Sequence, residues 1–421
     1  MKKVISLIAA LCVLLCCFSG AALAEEKITL KFANYAILES NYEAFWTQVE
    51  KDFEALYPEI DLVYVTAPYG EMVNQVINMA GGGDRVDMIF GEIDWTPTLE
   101  DTGLICPVAD VLDEAFLDDF YPNQLEACSI GGVVYSLPVY SSPFVLYYNT
   151  ELFEQAGLDP NAPPTTYDEM LEMAEKLSQL TSADGNPVYA FGQTTASVAV
   201  SGAALTAMTA NFGGSLLTAD GELATDSDAF RQTFEMVKLL DEKGYNPQNA
   251  KLKDLRNLFA LGQLAMYYDQ SWGFSGVQGI NPDAASFTAS AKPLAGGEGN
   301  GASILQAHIL TYVDNGEAQR DAAKKFTEFL VSEETLSGYL SQITPAYPSR
   351  ISMADMAAIT ENAVLKGAAG AGDNTIPVTF ISAQSDLYLE LCTLAQAVTV
   401  GGEDFDTAYA TFKSAAENLL Y

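Results

Sequence analysis

Residues 136–158 read S-L-P-V-Y-S-S-P-F-V-L-Y-Y-N-T-E-L-F-E-Q-A-G-L. An extended run broken by Pro138 and Pro143 leads into the apolar residues 144–148 and then a short helical segment that Gly157 stops. Proline has no backbone N–H, so two prolines in one extended run put it at a sheet edge or between units. We read residues 138–142 as a crossing from one α/β unit to a second. A chain of 421 residues is too long for one ordinary core, which fits that division.

Before the crossing, residues 28–34 alternate as a strand does. Phe45, Val49, Phe53, Leu56 and Tyr57 recur at helical spacing until Pro58, and residues 61–66 form a second strand. Val73, Val76, Ile77 and Ala80 mark a second helix over 69–80, and residues 86–90 a third strand. This order predicts a parallel sheet covered by helices. Ligands bind beyond the carboxyl ends of such strands, which gathers Tyr35, residues 67–69 and residues 91–95 at one edge.

After the crossing, Thr166 and Glu169 have capping-box spacing ahead of the stripe Tyr167, Met170, Leu171, Ala174 and Leu177. Residues 196–212 predict a buried helix of small residues, and 230–240 a further helix. Residues 255–262 lead by a helix into a strand, 264–268, that ends at Asp269-Gln270-Ser271-Trp272. Residues 286–294 read as extended chain returning to the first unit, 303–313 as a strand, 318–331 as a helix and 343–345 as a third crossing. The remainder, through 405–420, reads as mostly helical and packed on the second unit.

Lys2 and Lys3, the apolar residues 4–18 and Ala22-Leu23-Ala24 have the form of a secretory signal peptide, residues 1–24. A lipid anchor on Cys16 or Cys17 stays open, although Leu15 and Cys16 are not the small residues such sites prefer. Cys106, Cys128 and Cys392 then allow at most one disulfide, with Cys106–Cys128 the nearer pair and Cys392 a buried thiol. Lys and Arg total 20 against 56 Asp and Glu, a net charge of −36. Nucleic acid, anionic membrane surfaces and polyanionic ligands need a basic face and are disfavoured as partners; the charge suits solubility in an exposed compartment.

Four motifs occur in sequence. They are Tyr147-Tyr148-Asn149-Thr150-Glu151-Leu152-Phe153 with Ala156-Gly157-Leu158, Pro164-x-Thr166-Tyr167-Asp168-Glu169-Met170, Phe259-x-x-Gly262-Gln263-x-Ala265-Met266, and Ala322-Ala323-x-x-Phe326-x-x-Phe329-Leu330. In this order, behind a secretion signal, they resemble family 1 extracellular solute-binding proteins of ABC importers, the maltose-binding type. The resemblance covers nearly the whole mature chain. It implies an α/β, two-lobed periplasmic-binding-protein fold of type II, with three interlobe crossings and a ligand cleft between lobes. Lobe 1 is expected over 25–138 plus 290–344, and lobe 2 over 139–289 plus 345–421. It further implies a monomer, exported to the periplasm or the outer face of the membrane, that captures a short carbohydrate by hinge closure and docks on ABC permease subunits.

Trp95 and Trp272 follow strands, where the cleft is expected, and an aromatic face suits the apolar C–H face of a pyranose. Trp272 also sits where the resemblance places a cleft tryptophan. Glu92, Asp94 and Asp269 are the nearby acids that grip hydroxyls by charge-assisted hydrogen bonds. Tyr35, Tyr140 and Tyr347 complete the candidate ligand-binding set, while Trp46 falls in the core. Residues 194–204 are small and aliphatic where maltose-type members carry aromatics, which favours a short glycan over a long stacked maltodextrin. Catalysis has little footing. His308 is the single histidine and reads as structural, no His/Cys cluster suits zinc, and no cofactor motif occurs. The rival readings are the same fold binding a polyamine, another cationic solute or a metal ion, a secreted polysaccharide hydrolase, and a sensor subunit.

Overall fold

The computed structural model describes residues 27–39, 42–372, 374–376, 378–379 and 381–420. The leader expected over 1–24, with Cys16 and Cys17, lies outside them.

Strands β1 (Ile28–Asn34), β2 (Ile60–Val65) and β3 (Met88–Glu92) run parallel, with helices Glu43–Leu56 and Met72–Gly81 as their connections. Pattern and packing agree here. Trp46, Val49 and Phe53 recur on one helix face and are buried against the sheet, where Phe32 meets Trp46 edge-on at 5.9 Å and Phe326 at 5.0 Å. Strands β4 (Ser136–Ser141) and β5 (Phe144–Asn149) follow, then β6 (Tyr189–Gly192), β7 (Leu264–Gln270), β8 (Thr288–Ala291), β9 (Ala307–Tyr312) and β10 (Tyr347–Pro348). The first sheet has six strands in the order β10-β4-β9-β3-β1-β2. Strands β4, β9 and β10 join it antiparallel.

Pro138 is accommodated although β4 is not the outermost strand. Its outer neighbour β10 pairs only with Tyr140 and Ser141, and on the inner side the register of β9 shifts between His308 and Ile309, opposite Pro138.

The second sheet has four strands in the order β8-β5-β7-β6. Strands β5 and β7 are buried on both faces and therefore read as unbroken apolar runs over residues 144–148 and 264–268. Leu146, Tyr148, Met266 and Tyr268 enter one core; Val145, Tyr147 and Tyr267 enter another on the opposite face. Helix Tyr167–Leu177 starts as expected at Thr166, whose hydroxyl accepts from the Glu169 amide at 3.2 Å. Glu169 returns the bond one residue earlier than the usual box, accepting from the Thr165 amide at 2.7 Å. The small-residue helix, Ala199–Asn211, is buried along most of its length.

The chain passes between sheets at Ser142-Pro143, and again between Ala291 and Ala307. It does not leave the first sheet at 343–345: Tyr347 and Pro348 pair with β4, and Met353, Met356 and Ile359 lie in the first core. The last passage falls later, before helix Gln384–Val398 joins the second core. Cys106, Cys128 and Cys392 are all free and buried, so the nearer pair does not form a disulfide. Among the described residues no helix is long and apolar enough to cross a membrane.

Candidate functional site

The two sheets face each other across a cleft. It contains two adjoining cavities, of about 400 and 460 Å³, which share Tyr69, Glu92 and Trp272. One wall comes from the first sheet: Tyr35 just past β1, Tyr140 in β4, Glu92 ending β3, Asp94 two residues later, and His308 in β9. The other wall comes from the second sheet and its helices: Gln270 ending β7, then Trp272, Arg256 from helix Leu252–Ala260, and the start of helix Ala199–Asn211. A larger groove of about 1000 Å³ runs along helix Glu43–Leu56. It lies outside the cleft, and its wall includes none of the strand-end residues.

The first wall is an aromatic basket around two acids and a neutral imidazole. Tyr35 Oη and His308 Nε2 share a hydrogen bond of 2.6 Å, and the His308 ring stacks on Tyr140 at 4.7 Å. Burial pushes His308 down to about 3, so the ring is uncharged at neutral pH. Tyr69 Oη donates to Glu92 Oε2 at 2.9 Å, and Glu92 Oε1 lies 3.7 Å from His308 Nε2. Burial, and then repulsion from Asp94, push the Glu92 carboxyl up to about 8; burial lifts Asp94 to about 6. Among the described residues Asp94 Oδ1 is buried without a hydrogen-bond partner, and so is Gln270 Oε1 across the cleft. Buried acceptors of this kind cost free energy until a donor arrives. The site therefore offers aromatic faces with hydrogen-bonding groups held ready on both walls.

Of the expected residues, Tyr35, Glu92, Tyr140 and Trp272 meet around the first cavity, and Asp94 joins Glu92 and Trp272 in the second. Three stand elsewhere. Trp95 is buried beneath the lining, its ring 5.2 Å from Tyr69 and 5.6 Å from Tyr35. Asp269 is fully buried and bonded to Arg256. Tyr347 Oη donates to the Leu365 carbonyl at 2.7 Å and lines a separate cavity of about 110 Å³. Trp46 is core, as expected. His308, read as structural, is on the cleft wall. Tyr42, Tyr339, Arg256 and Tyr388 also line the cleft and were missed. All four sit on helices or beside their caps, so no strand-end signal marks them.

The profile of the bacterial extracellular solute-binding protein family matches residues 35–336. The chain belongs to that family. Among solved structures, the cyclic α-maltosyl-1,6-maltose binding protein of Arthrobacter globiformis superposes with a TM-score of 0.81 at 19% identity, covering 94% of this chain and 99% of that one. The sugar-binding protein MalE of Xanthomonas citri gives 0.79 at 17% identity, covering 93% and 97%. The fold is thus the two-lobed one of periplasmic sugar-binding proteins. In sequence, the periplasmic sn-glycerol-3-phosphate-binding protein UgpB of Agrobacterium fabrum is 28% identical over 183 residues, 42% of this chain and 41% of its own. A Brucella abortus protein that carries only the general name of binding protein is 25% identical over 251 residues. The match spans 58% of that relative's length.

Proposed function

We propose that the chain is an extracytoplasmic receptor that captures a short carbohydrate in the cleft by hinge closure and delivers it to the permease subunits of an ABC transporter. It acts as a monomer and a binder, exported behind its leader. The first lobe is built on the six-stranded sheet and the second on the four-stranded sheet. One observation carries this reading: the cleft joins aromatic faces from both lobes, Tyr35 and Tyr69 opposite Trp272, with buried unpaired acceptors, Asp94 Oδ1 and Gln270 Oε1. A sugar supplies an apolar C–H face for the first and hydroxyl donors for the second.

A second reading has its own observation. Lys251, Lys253 and Arg256 bring three cations to one wall of the second cavity, which suits a phosphorylated polyol such as the one for which UgpB is named.

A thermal-shift and calorimetric panel of mono- and oligosaccharides, sn-glycerol 3-phosphate, polyamines and divalent ions separates the readings. A neutral glycan that raises the midpoint and is recovered intact supports the first, because a ligand of the folded form alone stabilises by mass action. A response to the phosphate ester alone supports the second. A response confined to polyamines or metal ions, or consumption of the glycan, overturns both.

A further inference from the structure

Asp269 is fully buried, yet no part of it belongs to the cavity lining. Its carboxylate takes Arg256 in a fork: Nε donates to Oδ2 at 2.6 Å and Nη2 to Oδ1 at 2.7 Å. Tyr267 Oη donates to Oδ2 at 3.2 Å and the Gln270 amide to Oδ1 at 2.8 Å. Both oxygens are thereby satisfied from within the protein. The guanidinium held this way lies over the Trp272 ring, 4.6 Å from its centroid.

The turn that carries Trp272 is shaped around the same carboxylate. A Cβ on Gly273 would stand 2.2 Å from Asp269 Oδ2, so the next residue after the tryptophan must be glycine for the acid to sit beneath the turn. The turn is also fixed from the other side. Tyr147 Oη donates to the Gln270 and Ser271 carbonyls at 3.0 and 2.9 Å, and the Ser271 and Ser142 hydroxyls are 2.9 Å apart.

We propose that Asp269 and Arg256 are positioning residues for Trp272: the buried carboxylate aims the guanidinium, and the guanidinium sets the plane of the indole in the cleft. This rests on the reading of the cleft as a carbohydrate site. It assigns Asp269 a role one step behind the ligand. A bidentate pair fixes a guanidinium in orientation as well as place, and a cation over an indole face is attractive, so an aromatic lining the cleft is held ready at little entropic cost.

The test has one arm without ligand and one with it. The chain has three tryptophans, so protein grown with fluorotryptophan gives three fluorine resonances, and Trp272→Phe assigns one of them. In Asp269→Asn, and separately in Arg256→Lys, which keeps a cation but loses the planar face, the Trp272 resonance is expected to move while those of Trp46 and Trp95 stay. A Trp272 resonance unmoved in both variants, or all three moved together, overturns the proposal. In the second arm, Arg256→Lys is expected to raise the Kd for the glycan found in the panel about fivefold, in the range of one cation–π contact, and to change nothing in a Trp272→Ala background. An equal loss in both backgrounds also overturns it. If no glycan binds, the carbohydrate reading fails alone, and the fluorine arm still decides the positioning role.

Discussion

At the level of single residues the cleft makes two predictions. Among the described residues, Trp272 is the only aromatic the second lobe gives to both cavities. Trp272→Ala is expected to weaken glycan binding by about 1–3 kcal/mol, the usual scale for a buried anchor, measured by calorimetry. The second prediction concerns protons. Glu92 is raised from an ordinary 4.5 to about 8, so between those values the folded form holds a proton that the unfolded form has lost. Its contribution to stability is present below about 4.5 and disappears as pH rises through about 8. His308 acts oppositely: lowered from 6.5 to about 3, it costs stability as pH falls below 6.5. Asp94, lifted to about 6, acts in the same direction as Glu92 and completes its own step about one pH unit above that value. The interval from about 7 to 8 therefore reports Glu92. There the melting temperature should fall with pH in the native protein, and Glu92→Gln should flatten the slope. An unchanged slope means Glu92 is ionised throughout. Sequence reading chose Tyr35, Glu92, Asp94, Tyr140 and Trp272 by their places at or near strand ends or in the crossing, and the structure puts all five on the cleft wall. It missed His308 because a lone histidine in a strand has no pattern to distinguish a wall from a core. It misplaced Asp269 because the arginine that consumes it comes from thirteen residues away.

At the level of elements, the strands and helices around the first sheet were legible because their periods are clean. Residues 28–34 appear as β1, and the expected helix over 69–80 appears as a short turn followed by Met72–Gly81. The third crossing was not legible. Residues 343–345 carry a proline, but what keeps the chain on the first sheet is the pairing of Tyr347 and Pro348 with residues two hundred positions earlier, which no local signal encodes. The small-residue helix Ala199–Asn211 was legible as buried, and the structure supplies the reason. A Cβ on Gly202 would come within 2.3 Å of Tyr388 Cβ and 2.5 Å of its backbone, so helix Gln384–Val398 rests directly on this glycine. Gly202→Ala must push the two helices apart. It is expected to lower stability by about 1–3 kcal/mol, as overpacking does, despite alanine's better helix propensity. Because Tyr388 and Ala203 line the second cavity, ligand affinity should fall with it. A variant as stable as the native protein would mean that the helices are not in contact there.

For the whole molecule, affinity and closure are separable quantities. The passages at Ser142-Pro143 and 291–307 are bonded to each other, the Ser142 amide donating to the Gln306 carbonyl at 2.7 Å. The strand end that carries Trp272 is tied to both, through the Ser142 and Ser271 hydroxyls and through Gln270 Nε2 to Gln306 Oε1 at 3.4 Å. On the hinge-closure reading proposed above, a displacement of Trp272 is thus coupled to the passages that join the lobes. A ligand shifts an open–closed equilibrium only by the difference between its affinities for the two forms. On that reading, contacts with the first wall alone exist in both forms and close nothing, and contacts that add the second wall exist only when the lobes meet. Small-angle scattering should therefore show the native protein becoming more compact on saturation with glycan. Trp272→Ala, saturated at a correspondingly higher concentration, should bind through Tyr35, Tyr69 and Glu92 and compact less. Equal compaction in both proteins would place the closing contacts elsewhere on the second wall, at Gln270 or Tyr388, and would leave Trp272 a source of affinity alone.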